Sequence, residues 1–150
     1  MLTLDANVWV AAFDPRDAHH RESATFFEMI SRQKLALHGP AIVVLEVTCA
    51  LARRLRRVGP ADEAARWLRA YPALQLHPID EGLLDQALTL GSERGLRGMD
   101  ALYAATAVLM DASLISWDSE LIQRAGALSP IDWIASQTDS DGGRSDKGKS

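Results

Sequence analysis

A chain of 150 residues, 47% hydrophobic and 24% charged, has the size and balance of one globular domain that buries a single core without staples. Its lone cysteine, Cys49, excludes an internal disulfide framework and argues against a thiolate metal site. A formal net charge of −4 argues against bulk capture of nucleic acid through a positive field. No basic segment precedes the first apolar residues, and the longest apolar stretches are broken by Glu46 and Asp111. Neither a signal peptide nor a membrane span is expected, and the location expected is the cytoplasm.

Residues 2–4, Leu-Thr-Leu, suit a short buried strand, and Asp5 ends it where Ala6-Asn7-Val8 begins a helical pattern. Asp5 thus stands at the carboxyl end of a strand, the edge where ligands gather in open α/β sheets. Asp is also a preferred helix N-cap, and the residue alone does not separate the two roles. A helix is expected over residues 18–33, a strand over 35–38, and Gly39-Pro40 punctuates. Pro40 suits a first helical turn, so 41–57 reads as a helix stopped by Gly59-Pro60, followed by a second over 61–70.

Next come a strand over 74–77 and an amphipathic helix over 80–94, with Gly95 where a C-cap glycine belongs. A small-residue helix over 100–110, a strand over 113–117, a short helix over 118–125 and an edge strand over 130–134 complete the domain, set at 1–136. Residues 137–150, with no apolar side chain, are expected to form a disordered polar tail. Strands alternating with helices predict an α/β fold, a single three-layer domain with a central, mainly parallel sheet flanked by helices. With strand order 3-2-1-4, the first and fourth strands adjoin, and Asp5 and Asp118 face each other at their ends.

Two further acids are awkwardly placed. Glu46 lies mid-helix with Ile42 and Val43 a turn before it and Cys49 and Ala50 a turn after, on an apolar face. A carboxylate buried there must raise its pKa, find a cation, snorkel out or face a cleft. Asp100 opens the helix Ala101-Leu102-Tyr103-Ala104-Ala105-Thr106-Ala107, either as an N-cap or as an acid pressed toward the sheet edge by small neighbours. The arginines 53, 54, 56 and 57 cluster at a helix C-terminus, which the dipole favours and which also offers a grip on phosphate. His19, His20, His38 and His77 read as surface or capping groups, and Trp9 and Trp117, beside the acids, as packing residues or base-stacking surfaces.

Taken together, Asp5-Ala6-Asn7, Glu46 in its helix, Gly98-Met99-Asp100-Ala101 and Ser116-Trp117-Asp118 resemble the motifs of a PIN domain, in particular the VapC-type toxin ribonucleases. The resemblance runs from Leu2 to about Ile134. It departs at Ala6, where the family often has Thr or Ser, at Ser116 for the usual Thr, and at Leu121 for a common Phe. It implies a metal-dependent endoribonuclease. Asp5, Glu46 and Asp100 anchor the main ion, Asp118 binds it or a second, Asn7 orients ligands or water, and Ser116 supports them. It further implies a tRNA or rRNA substrate, a homodimer, and a small antitoxin whose C-terminal peptide crosses the active-site groove, with Trp9, Phe13, Phe26 and Phe27 as candidate lining.

The chemistry is consistent with that set. Two carboxylates about 4 Å apart repel by roughly 4 kcal/mol at an effective dielectric near 20, so a cluster recruits protons or cations. Hard oxygen donors favour Mg²⁺, with Mn²⁺ as a substitute. Two rival readings keep some of these residues: a housekeeping RNA-processing nuclease of the same fold, and a non-catalytic interaction module in which the acids are caps and solvated charges. A phosphoaspartate enzyme using Asp5 lacks the second Asp two residues on, where Asn7 stands.

Overall fold

The computed structural model describes residues 1–142. Its centre is a four-stranded sheet built from β1 (Leu2–Leu4), β2 (Leu37–Pro40), β3 (Leu74–His77) and β4 (Ser113–Ile115) in the order β3-β2-β1-β4, with every pairing parallel. Leu2 pairs with Leu37 on one side and Ser113 on the other, so β1 is central and all three of its residues are buried. Parallel strands demand long crossovers, and the helical segments between them supply these.

Eight helices occur among the described residues: α1 (Ala6–Phe13), α2 (His20–Arg32), α3 (Ile42–Leu55), α4 (Val58–Ala70), α5 (Glu81–Arg94), α6 (Gly98–Leu109), α7 (Ser119–Ala125) and α8 (Pro130–Gly142). The α6 helix packs on β1, β2 and β4 and is itself backed by α5. Its run Ala101–Ala107 is wholly buried, because small side chains let its backbone approach the sheet and its neighbour together. A second group joins α1 to α2 and α3, α3 to α4, and α2 to α8. No helix among the described residues is long and apolar enough to cross a membrane.

Several boundaries differ from the sequence expectation, each for a local reason. The second strand lies two residues later, because Leu35 N–H still bonds Ile30 O in the turn that ends α2. Gly59-Pro60 falls inside the first turn of α4, where a missing N–H costs no helical bond. The fourth strand ends at Ile115, which leaves Ser116 and Trp117 free to turn. The largest correction is residues 130–134, which are helical and not an edge strand. Ser129 Oγ accepts the Asp132 N–H at 3.1 Å and donates to Asp132 Oδ2 at 2.7 Å, a reciprocal cap, and Pro130 occupies the first helical position. Trp133 then buries against Phe26, with ring centroids 5.3 Å apart. The α8 helix continues through Gly142 over part of the stretch expected to be tail, and residues 143–150 lie outside the described residues.

Candidate active site

Asp5 leaves β1 in an extended conformation and occupies the N-cap position of α1, yet its side chain caps nothing. The carboxylate is 7% exposed and accepts a hydrogen bond from Ser116 Oγ at 2.7 Å. That hydroxyl, fully buried, also accepts the Asn7 Nδ2–H at 3.1 Å and the backbone N–H of Asp118 at 2.9 Å. One donor and both acceptor positions of Ser116 are therefore used. Asn7 completes the knot by accepting the Trp117 N–H on Oδ1 at 3.1 Å. The ends of β1 and β4 are thereby tied by side chains as well as by the sheet.

Asp118 is a true N-cap: its Oδ1 accepts the Glu120 N–H at 2.7 Å at the start of α7. Asp100 is not one. It sits in the first turn of α6, which begins two residues earlier than expected, with Arg97 at the N-cap position. Glu46 is half-buried on α3 and accepts the Tyr103 hydroxyl on Oε2 at 2.5 Å. Burial of Tyr103, reinforced by the charge of Glu46, holds the phenol far above its ordinary pKa, so it remains a donor.

The acids sense one another. Burial pushes Asp5 up to about 6, against the lowering hydrogen bond from Ser116, with the charges of Asp100 and Glu46 adding to the rise. Asp100 is raised chiefly by burial and then by Asp118 and Glu120, with Arg97 opposing. The couplings thus run in a chain from Glu46 through Asp5 and Asp100 to Asp118 and Glu120. A site of this kind is short of positive charge. No three His, Cys, Asp or Glu among the described residues form a compact metal cage. Carboxylate oxygens are the hard donors that Mg²⁺ prefers, and Mg²⁺ keeps several waters and takes one or two protein carboxylates, so it does not need such a cage.

Three participants escaped the sequence reading: Tyr103, Glu120, and Arg97, whose Nη2 lies 2.8 Å from Glu120 Oε2. Tyr103 was signalled by its position three residues after Asp100, on the same helix face. Trp9 does not flank the acids as a stacking surface; it is 1% exposed and packs on Phe27, Trp67 and Tyr71. The expected aromatic lining of the active-site groove is not what forms: Phe26 is fully buried, and Trp9, Phe13 and Phe27 line instead a cavity of about 660 Å³ shared with Trp67 and Tyr71, whose lining includes none of Asp5, Glu46, Asp100 and Asp118. His38 is a buried partner of His77, with Nδ1 and Nε2 2.9 Å apart, and Trp117 stacks on His19 at 4.0 Å.

A family model for the PIN domain matches residues 2–127. The chain belongs to the PIN domain family. Solved structures similar to this PIN domain include Mycobacterium tuberculosis VapC20, a sarcin-ricin loop cleaving toxin, at 21% identity and a TM-score of 0.68, covering 85% of this chain and 97% of that one. A toxin-antitoxin complex from Klebsiella pneumoniae aligns at 19% identity and a TM-score of 0.64, covering 87% and 98%. PAE2754 from Pyrobaculum aerophilum aligns at 24% identity and a TM-score of 0.62, covering 92% and 96%. These likenesses establish a shared fold for this PIN domain. No curated protein matches it in sequence.

Proposed function

We propose that this PIN domain is a divalent-metal-dependent endoribonuclease, hydrolysing RNA phosphodiester bonds as the toxin of a type II toxin–antitoxin pair. The observation that carries the reading is the chain of coupled carboxylates contributed by β1, α3, α6 and the β4–α7 turn, with Asp5 held at about 6. The cleaving toxin and the toxin-antitoxin complex that share its fold support the same assignment. Asp5, Glu46, Asp100 and Asp118 would hold Mg²⁺, or Mn²⁺ in its place. When bound, the ion neutralises phosphate charge and lowers the pKa of water.

The remaining residues position this set. Ser116 fixes Asp5 and the turn that carries Asp118, Asn7 spans the two strand ends, and Tyr103 aims Glu46. The substrate class is tRNA or rRNA, met in the cytoplasm. The aromatic groove of Trp9, Phe13, Phe27, Trp67 and Tyr71 is the docking place for an antitoxin peptide, since large rings in a concave site make strong anchors. On α5, Leu84 and Leu88 are 47% and 63% exposed beside an apolar cavity of about 580 Å³, which supports a homodimer through that face.

The reading is tested by incubating a mixed tRNA and rRNA pool with the purified protein and Mg²⁺ or Mn²⁺, beside the Asp5→Asn and Asp100→Asn variants. Cleavage that vanishes with chelator and in both variants is expected. Equal inertness of all three proteins, with unchanged RNA or partner binding, would establish a binding module instead.

A further inference from the structure

A second groove lies on the other side of α1, between it and α3. Glu46, Cys49, Ala50 and Arg53 recur at three- and four-residue spacing and so form one stripe along α3. They face Asn7 and Val10 of α1 across a cavity of about 360 Å³. One end holds Glu46 and Asn7, which belong to the carboxylate site; the other holds Arg53 and Arg54. Seven residues of helix separate Glu46 from Arg53, about 10 Å along the axis. Arg54 is engaged, its guanidinium 2.5 Å from Asp17 Oδ2. Arg53 is exposed and makes no ion pair among the described residues.

We infer that this groove is a phosphate track, in which Arg53 grips a backbone phosphate adjoining the one at the carboxylates, so that single-stranded RNA enters the site along α3. The inference rests on the ribonuclease reading and deepens it. A Glu46 end with no basic partner among the described residues and an Arg53 with no acidic one match a ligand carrying both a metal-bound phosphate and a second phosphate nearby. An acidic peptide answers only the arginine end. The groove also offers no aromatic anchor to a peptide, since the rings lie across α1 in the other cavity. Arginine is suited to the role because its fork donates to two phosphate oxygens at once.

The test measures binding of a fluorescein-labelled single-stranded RNA to the Asp5→Asn protein over a range of salt concentrations, with Arg53→Ala or Arg57→Ala added. Loss of one phosphate contact flattens the slope of log affinity against log salt by about 0.7. Arg53→Ala is expected to show that change with a severalfold loss of affinity at low salt, and Arg57→Ala, outside the groove, an unchanged slope. Saturating RNA is also expected to protect exposed Cys49 of the Asp5→Asn protein from N-ethylmaleimide. An unaltered slope in Arg53→Ala, an equal change in Arg57→Ala, or absence of RNA binding overturns the track. Protection of Cys49 by polyglutamate as strong as by RNA assigns the groove to acidic peptides and also overturns it. RNA cleavage that persists while Arg53 has no effect sinks the track alone. Arg53-dependent binding without any cleavage by the parent protein keeps the track and sinks the catalytic reading.

Discussion

Helix α1 divides two cavities of opposite chemistry. On one flank Trp9, Ala12 and Phe13 face Phe27 of α2 and Trp67 and Tyr71 at the end of α4, in a concave surface dominated by rings; Trp67 and Tyr71 stack with centroids 4.4 Å apart. On the other flank Ala6, Asn7 and Val10 face Glu46, Cys49 and Arg53 of α3. A helix of eight residues achieves this because positions three and four apart share a side, so residues 6, 7 and 10 make one stripe and 9, 12 and 13 another. The comparison teaches that the partner binding and the RNA binding we propose would be physically separable, since the two cavities share only the helix between them. Charge governs one flank, and buried apolar area governs the other.

The largest effect separates the flanks by pH. Asp5 has its folded pKa raised from 3.8 to about 6, so the folded state binds a proton more tightly than the unfolded chain. This contribution to stability is full below about pH 4 and is lost as pH rises through about 6. Asp5→Asn should therefore stabilise the metal-free protein at pH 7 by up to about 3 kcal/mol, and change little at pH 4, while abolishing cleavage. Urea titrations at the two pH values check it; equal stability of parent and variant at pH 7 would dissociate the carboxylate site from the pH response.

Next is the aromatic flank. Trp67 is 41% exposed, and Trp67→Ala should cost about 2 kcal/mol, roughly thirtyfold, in affinity for the antitoxin partner of the proposed function, with RNA cleavage unchanged. Isothermal titration of the two proteins, paired with a cleavage assay, reads both flanks at once; a parallel loss of cleavage would mean that α1 transmits between them.

On the charged flank, Ser116→Ala removes the donor to Asp5 and the acceptor for Asn7 and Asp118. We expect kcat/KM to fall tenfold to a hundredfold, as for residues that orient metal-binding groups, with antitoxin affinity intact and with Ser116→Thr restoring most of the rate. Loss of the Ser116 hydrogen bond should also move the acid limb of the rate profile to higher pH, since that bond lowers the Asp5 pKa.

The smallest effect concerns a place remote from both flanks. Burial, then the neighbouring His77, lowers the His38 pKa below 6.5, so the folded protein favours neutral imidazole. The stability this confers is present above pH 6.5 and declines as pH falls through the folded pKa. In an Asp5→Asn background, His38→Gln should flatten the acid limb of stability read by urea titration at successive pH values, without altering either cavity. A limb that survives the substitution would point to another group.

Much of this was legible in residue order because it is local. Alternation of apolar runs and helical periods gave the parallel sheet and its crossovers, and Asp80 and Gly95 delimit α5 by capping rules that act within one turn: Asp80 Oδ1 accepts the Leu83 N–H at 2.9 Å, and Gly95 adopts φ 63°. The cap of α8 was equally local, Ser129-Pro130 followed by Asp132, and outweighs the β-like look of residues 130–134. The acids Asp5, Glu46, Asp100 and Asp118 stood out because carboxylates at strand ends and on apolar helix faces are expensive unless used.

What the chain alone could not supply are relations between distant residues. Ser116 meets Asp5 across 111 positions, and Tyr103 meets Glu46 across 57. A hydroxyl or phenol carries no sign in the sequence of which carboxylate it will serve, since that depends on β1 lying beside β4 and on α6 crossing behind β1 and β2. Tertiary packing likewise decided that Trp9 belongs to the aromatic cluster and that Arg53 ends the groove that begins at Glu46. Sequence determined which groups are present and which elements carry them, through steric and hydrogen-bonding preferences that act over a few residues. The meeting of those groups was set by burial of the shared core, which fixes neighbours without regard to their separation along the chain.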